Sequence, residues 1–310
     1  MSVASSRQLI ADRSTKHSRA LKAPSRSKRN RKSGILTVIV WCTLAYFLIP
    51  PIWIFMSATK TNSDFFSTFG LSFGSSFELF TNIEQVFTLQ GGVFVQWIIN
   101  TLFYSVTSAV GASILATACG YALAKYTFRG RSVIFSVILG AVMVPMTALA
   151  IPTFLLFSVW DLTNTPLAVI LPSLVSPFAV YLMRVYAAEA VDDSLLEAAR
   201  IDGASEMKIF LSIGSRLLVP GIVTVLLFTL VATWNNYFLP LIMLNTNSLY
   251  PLTVGLASWQ ADSAPGAGTG TVLYTTVMTG SLISMVPLIV AFIFLQRYWQ
   301  TGVTTGSVKG

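Results

Sequence analysis

The sequence predicts an all-α integral membrane protein with six transmembrane helices and both termini in the cytoplasm. Three observations predict it. Of the 310 residues, 54% are apolar and only 10% are charged, whereas a typical soluble domain carries about 25% charged residues. Mean hydropathy is +0.70. Six runs contain no Asp, Glu, Lys, Arg or His, at 35–59, 85–124, 132–160, 162–183, 217–261 and 263–296. Each reaches the roughly 20 residues that cross about 30 Å of hydrocarbon. Finally, the basic residues fall on alternate connecting segments. Length alone would allow two soluble domains, but a chain this apolar could not cover a water-facing surface. Soluble-enzyme and disulfide-scaffold readings are excluded first: the two cysteines, Cys42 and Cys119, lie inside apolar runs as small packing residues.

The elements follow in order. Residues 1–34 form a basic tail with ten Lys and Arg against one acid, Asp12, so it carries +9 and the rest of the chain sums to −1. Such a run suits a nucleic-acid-binding arm or a transit peptide. No aromatic residue interleaves the charges, and the favoured reading is a disordered cytoplasmic extension lying near anionic lipid. The first span covers 35–58, and an external segment follows at 59–95. Its phenylalanines, with Asp64, Glu78 and Glu84, suggest amphipathic or re-entrant pieces. The remaining spans cover 96–124, 132–158, 166–184, 217–244 and 273–297. Internal prolines at 50, 51, 145, 152 and 240 do not veto them, because neighbouring helices can satisfy the freed carbonyls. A second external loop, 245–271, ends in a Gly-rich flexible run. A cytoplasmic tail, 298–310, closes the chain.

Six spans starting inside place Lys125, Arg129 and Arg131 in one cytoplasmic loop and Arg184, Arg200, Lys208 and Arg216 in the next. With the two tails, 19 of the 20 basic residues are then inside, and only Lys60 is outside. The opposite orientation would invert this distribution.

Apart from Arg184 and Arg297 at the ends of two spans, no trimmed span contains an ionisable acid, a base or a histidine, and the single histidine, His17, is in the tail. Ion-coupled carriers keep such a group near the bilayer centre, and intramembrane proteases need a catalytic pair or a metal. Neither catalytic nor metal-ligating residues are therefore expected, and energy for any transport must come from elsewhere. Uncharged polar residues do occur. Thr229, Thr233, Asn236 and Tyr237 share one helical face by their spacing, with Asn235 beside it. Interhelical hydrogen bonding explains that stripe; so does a polar wall on the path of a neutral hydroxylated solute.

Between the fourth and fifth spans, residues 191–216 carry dense local signals. Ser194 and Glu197 have capping-box spacing, Asp192 and Asp193 oppose a helix N-terminal dipole, and Gly203 fits a left-handed stop. Ser205 then caps a second short helix carrying Met207, Phe210 and Ile213. The prediction is a helix–turn–helix hairpin beneath the bilayer that presents apolar residues and a central acid to the cytoplasm.

Here the sequence resembles a family. Glu197-Ala198-Ala199, Gly203 and Ile213 resemble the EAA loop of permease subunits in binding-protein-dependent ABC importers. Asn100-Thr101, the 121–126 stretch Tyr-Ala-Leu-Ala-Lys-Tyr, Phe128-Arg-Gly-Arg131, the 234–241 stretch Trp-Asn-Asn-Tyr-Phe-Leu-Pro-Leu and the terminal 306–310 narrow it to the carbohydrate-uptake type and its second, MalG-like permease. The resemblance implies a type I ABC importer permease fold, with a permease core at 96–297, in a bacterial or archaeal cytoplasmic membrane. It implies a heterodimer with a second permease, two ATPase subunits that use ATP and Mg, and an extracytoplasmic sugar-binding protein. No cofactor is bound by this chain, no nucleic acid is expected, and no P-loop is present, so the chain is not itself the ATPase.

By the same resemblance the loop docks on the ATPase through Glu197, Ala198, Ala199, Asp202, Gly203, Met207 and Phe210. Thr229, Thr233, Asn235, Asn236 and Tyr237 are the candidate substrate path. Two departures bear on the loop: Ser215-Arg216 stands where the family has Leu-Pro, and Val191 where a proline is common. An ABC permease for another small polar solute, a passive facilitator and a membrane-anchored scaffold acting through its basic tail are the alternatives.

Overall fold

A computed structural model of the chain describes residues 34–264 and 273–305, with side chains through Gln296. The basic tail before Gly34, most of the Gly-rich run and the 306–310 end lie outside the described residues. Among the described residues every regular element is helical. Among the described residues four stretches are long and apolar enough to cross a membrane, and counting each of two bent pairs as one span gives up to six.

Contacts divide the chain between Ile49 and Pro50. The described part of the first unit is the N-terminal portion of α1 (Gly34–Ala58), which carries Pro50 and Pro51 within the helix. The second unit opens with the end of α1, then two short helices, α2 (Asn62–Ser67) and α3 (Leu79–Thr88). Lys60, expected on the external side, is buried, and its ammonium donates to the Phe69 carbonyl at 2.9 Å. Asn82 on α3 holds the same corner, donating to the carbonyls of Ala58 and Lys60.

The centre of this unit is α4 (Val93–Lys125), 33 residues long. Small residues let its neighbours close on it: a Cβ at Gly120 would lie 2.6 Å from Met183 Cβ and 2.7 Å from the Arg184 amide nitrogen. One end of α4 is stapled to the 247–252 segment. Trp97 Nε1 donates to the Asn247 carbonyl, Asn100 Nδ2 to those of Ser248 and Tyr250, and the Tyr104 hydroxyl to that of Leu249. Thr101 Oγ1 accepts from the Leu252 amide. These bonds satisfy backbone groups that an irregular segment would otherwise leave unpaired.

The expected straight third span is broken. Here α5 (Arg131–Val142) and the stretch Met146–Val159, which ends in α6 (Ala150–Val159), meet at 97°. Pro145 is extended, with ψ 127°; it lacks an N–H and disfavours helix at the residue before it. The fourth span comprises α7 (Pro166–Leu174) and α8 (Pro177–Ala190), interrupted where Ser176 caps α8 by accepting from the Ala179 amide. It runs six residues beyond the expected end at 184, so Arg184 lies within the helix.

Next come α9 (Asp193–Ile201), α10 (Glu206–Ile209), one π-helical turn at Phe210–Gly214, and α11 (Ser215–Leu217). This run turns through 75° into α12 (Val219–Trp234). The expected fifth span, 217–244, is therefore also corrected, because α12 stops at Trp234 and α13 (Phe238–Met243) starts a separate turn. Pro240 explains the stop: in a continuous helix its ring would meet the Asn236 carbonyl. That carbonyl instead accepts from the Thr253 hydroxyl at 2.8 Å. Two helices close the fold, α14 (Leu252–Asp262) and α15 (Tyr274–Thr305).

Candidate functional site

The hairpin is set into the bundle rather than hung beneath it. Leu196, Ala199 and Ile209 belong to one buried cluster with Ala116 and Tyr121 of α4 and Met183 of α8. On α9 the buried pair Leu196 and Ala199 is spaced i, i+3, so the opposite face is left outward. Capping differs in detail from the expected Ser-x-x-Glu box. The N-cap is Asp192, whose carboxylate accepts from the Ser194 amide at 2.9 Å, and Ser194 lies inside the first turn. An acid two residues earlier serves better because it also answers the helix dipole. Ser205 stands at the N-cap of α10 without a side-chain bond. Gly203 has φ +79°, and a Cβ there would meet no atom within 4 Å.

Polar contacts across the turn and to α4 lock the arrangement. Arg200 Nε donates to Glu206 Oε1 at 2.7 Å, and the Tyr126 hydroxyl donates to Glu206 Oε2 at 3.1 Å. Lys125 pairs with Asp193 at 2.8 Å. The Arg200 hydrogen bond holds the Glu206 carboxyl below the usual glutamate range, and the same bond pushes the Arg200 guanidinium up. Burial, then the bond to Glu206, pushes the Tyr126 phenol up to about 12. At neutral pH the latch is thus an ionised acid between a cation and a neutral phenol.

Of the seven hairpin residues singled out from the sequence, Glu197, Ala198, Asp202, Gly203 and Met207 are exposed and Ala199 is buried. Phe210 is turned inward: its ring centre lies 4.9 Å from that of Tyr121. The side chain is half-buried there, so part of it still faces outward. Ile201, 86% exposed, is a further outward apolar residue of the hairpin, with Met207. The latch partners Lys125, Tyr126, Arg200 and Glu206 were not singled out, since 68 and 80 residues separate the bonded pairs that reach α4.

The polar stripe does not persist as drawn. Thr229 and Thr233 are buried on α12, but the helix ends before Asn235, so Asn236 and Tyr237 leave its face. Asn235 is exposed and its amide donates back to the Val231 carbonyl. A longer row of small hydroxyls escaped notice on α4, where Thr101, Ser105, Ser108, Ser113 and Thr117 are all buried. Their three- to five-residue spacing, interleaved with Ala and Gly, is the signal for a helix face packed closely on its neighbours. Among the described residues no group of three His, Cys, Asp or Glu side chains could hold a metal ion.

The model for the inner membrane component of binding-protein-dependent transport systems matches residues 116–305, which include the whole hairpin. The chain belongs to that family. Similar permeases include the arabinooligosaccharides transport system permease protein AraQ of Halalkalibacterium halodurans, 35% identical over 74% of this chain and 79% of that protein. AraQ of Bacillus subtilis is 30% identical over 89% of this chain and 95% of its own length. The lactose transport system permease protein LacG of Rhizobium radiobacter is 30% identical over 91% of this chain and 98% of its length. In three dimensions the permease resembles a chain in the crystal structure of a bacterial ABC transporter that imports the acidic polysaccharide alginate. The TM-score is 0.72 at 25% identity, covering 89% of this chain and all of the other.

Proposed function

We propose that this permease is one of two membrane subunits of an ATP-driven importer of a sugar or oligosaccharide. A hairpin that is buried on one face and offers acid and apolar groups on the other carries the reading. Its inner face is fixed to α4 and α8, while Glu197, Ile201, Asp202 and Met207 face outward. A load applied to the outer face therefore reaches the spans directly. The outer face docks on a cytoplasmic ATPase, and closure of the ATPase pair draws the two permeases' hairpins together, opening the path between them toward a sugar-binding protein outside. Both termini and the hairpin are cytoplasmic, in line with the placement of 19 of the 20 basic residues. Sugar as cargo is supported by the relatives, whose names specify arabinooligosaccharides and lactose.

The test is to purify the tagged chain in mild detergent from its native host and identify co-purifying proteins by mass spectrometry. Recovery of a P-loop ATPase and a second permease, both lost with a Glu197→Ala/Gly203→Asp double variant, is expected. Uptake of labelled sugars by the intact complex then defines the cargo. Isolation of the chain alone, under conditions that keep other membrane complexes together, would overturn the assignment.

A further inference from the structure

Where α5 leaves the 126–130 loop and crosses α8, a cavity of about 480 Å³ opens. It lies at the hairpin end of the bundle, because Tyr126, in the same loop, bonds to Glu206. Two guanidinium groups line it, Arg131 and Arg184, and among the described residues no acidic side chain does. Arg184 lies over the Phe135 ring, 3.7 Å from its centre, and its Nε is buried with no hydrogen-bond partner among the described residues. Arg131 spends two of its five N–H groups on the carbonyls of Tyr126 and Ala124. These bonds fix its fork while leaving donors free. The N-terminus of the 12-residue helix α5, capped by Gly130 without a side-chain bond, adds its positive end.

Two guanidinium groups on one lining, beside a helix N-terminus and with no acid among the lining residues, suit an anion. The mouth of the cavity indicates which kind. Val133 lines it and is 67% exposed, and Val137, one turn along α5, is 66% exposed. An apolar ridge thus runs from the arginines along a helix that belongs to a membrane-spanning segment. A free phosphate would use the arginines and ignore the ridge; a phospholipid uses both.

We propose that this cavity binds the phosphate headgroup of an anionic phospholipid, with Arg131 and Arg184 on the phosphate and an acyl chain along Val133 and Val137. Arg184 is positioned by Phe135 and Arg131 by the end of α4, so the site needs α4, α5 and α8 in register. A bound lipid cements the broken third span to the fourth beside the hairpin.

The full-length chain, purified with its partners, is exposed to mixed micelles of phosphatidylglycerol or phosphatidylcholine, or to inorganic phosphate. Retained ligand is counted by native mass spectrometry. Phosphatidylglycerol should be retained in preference to phosphatidylcholine. Retention should fall roughly fivefold in Arg131→Gln and in Arg184→Gln, and further in the double variant. Arg184→Lys, which keeps the charge, should retain more than Arg184→Gln; it also serves if loss of the ring contact impairs folding. Equal retention of the two lipids, undiminished retention in a folded double variant, or displacement of phosphatidylglycerol by millimolar phosphate would overturn the proposal.

Discussion

Substitution at Gly203 separates the hairpin's own stability from its work on a partner. With φ +79° and no atom within 4 Å of a built Cβ, a side chain at this position meets nothing within the chain. The remaining cost is the left-handed backbone, on the order of 1 kcal/mol for an L-residue and less for Asn, which tolerates that region. Against it stand Leu196 and Ile209, both about 1% exposed, whose burial contributes about 1.5–3 kcal/mol each. The hairpin therefore stays folded in Gly203→Ala, Gly203→Asn and Gly203→Asp alike. Only Gly203→Asp adds charge, next to Asp202 on the exposed surface.

All three variants should insert to wild-type levels and show similar limited-proteolysis patterns. In proteoliposomes with the ATPase, Gly203→Ala and Gly203→Asn should retain uptake within about fivefold, the equivalent of that strain. Gly203→Asp should lose uptake by much more while the chain remains present. If Gly203→Asn failed as completely as Gly203→Asp at normal levels, charge would not be the operative property. Wild-type uptake in Gly203→Asp would refute the docking role of this turn.

Other expectations follow from single contacts. A Cβ at Gly255 would run into the Trp97 ring, so Gly255→Val should cost about 1–3 kcal/mol through overpacking, read as lower yield and a lower Tm in detergent. Thr253→Val removes the donor to the Asn236 carbonyl. An unpaired carbonyl costs about 1–3 kcal/mol, and faster hydrogen exchange at 234–240 should report it. The Glu206 carboxyl is depressed below the usual value of 4.5. The latch is therefore fully present above that value and lost as pH falls through the lower folded value. Glu206→Gln should abolish this acid-side change in hairpin protease sensitivity, and an unchanged profile would refute it. At the alkaline end Tyr126, raised to about 12, contributes stability below pH 10 that is lost as pH rises toward 12; Tyr126→Phe should remove that loss.

Spans, hairpin and left-handed turn were legible because each is written in contiguous residues. Composition marks the apolar runs, and Asp192, Gly203 and Ser205 punctuate the loop in helical register. What was hidden depends on how distant segments meet. Pro145 and Pro240 were both read as tolerable within a span, and whether a proline is absorbed or breaks the helix depends on what receives the freed carbonyl. For Asn236 that receiver is Thr253, 17 residues on. The inward turn of Phe210 likewise depends on Tyr121, which no spacing within the hairpin discloses. Lys60 illustrates the same limit: its charge was plain, but the Phe69 carbonyl that allows its burial is a matter of chain geometry.

The 75° corner between the 206–217 run and α12 makes the chain a crank. A straight helix passed through the hairpin could only be pushed along its axis or tilted. With a rigid bend, a sideways displacement of the short arm becomes a swing of the long one, about a pivot where Gly214 packs against the Tyr121 ring. Because packed interiors resist deformation, a displacement imposed at Met207 should reach Thr229 and Thr233 as rotation.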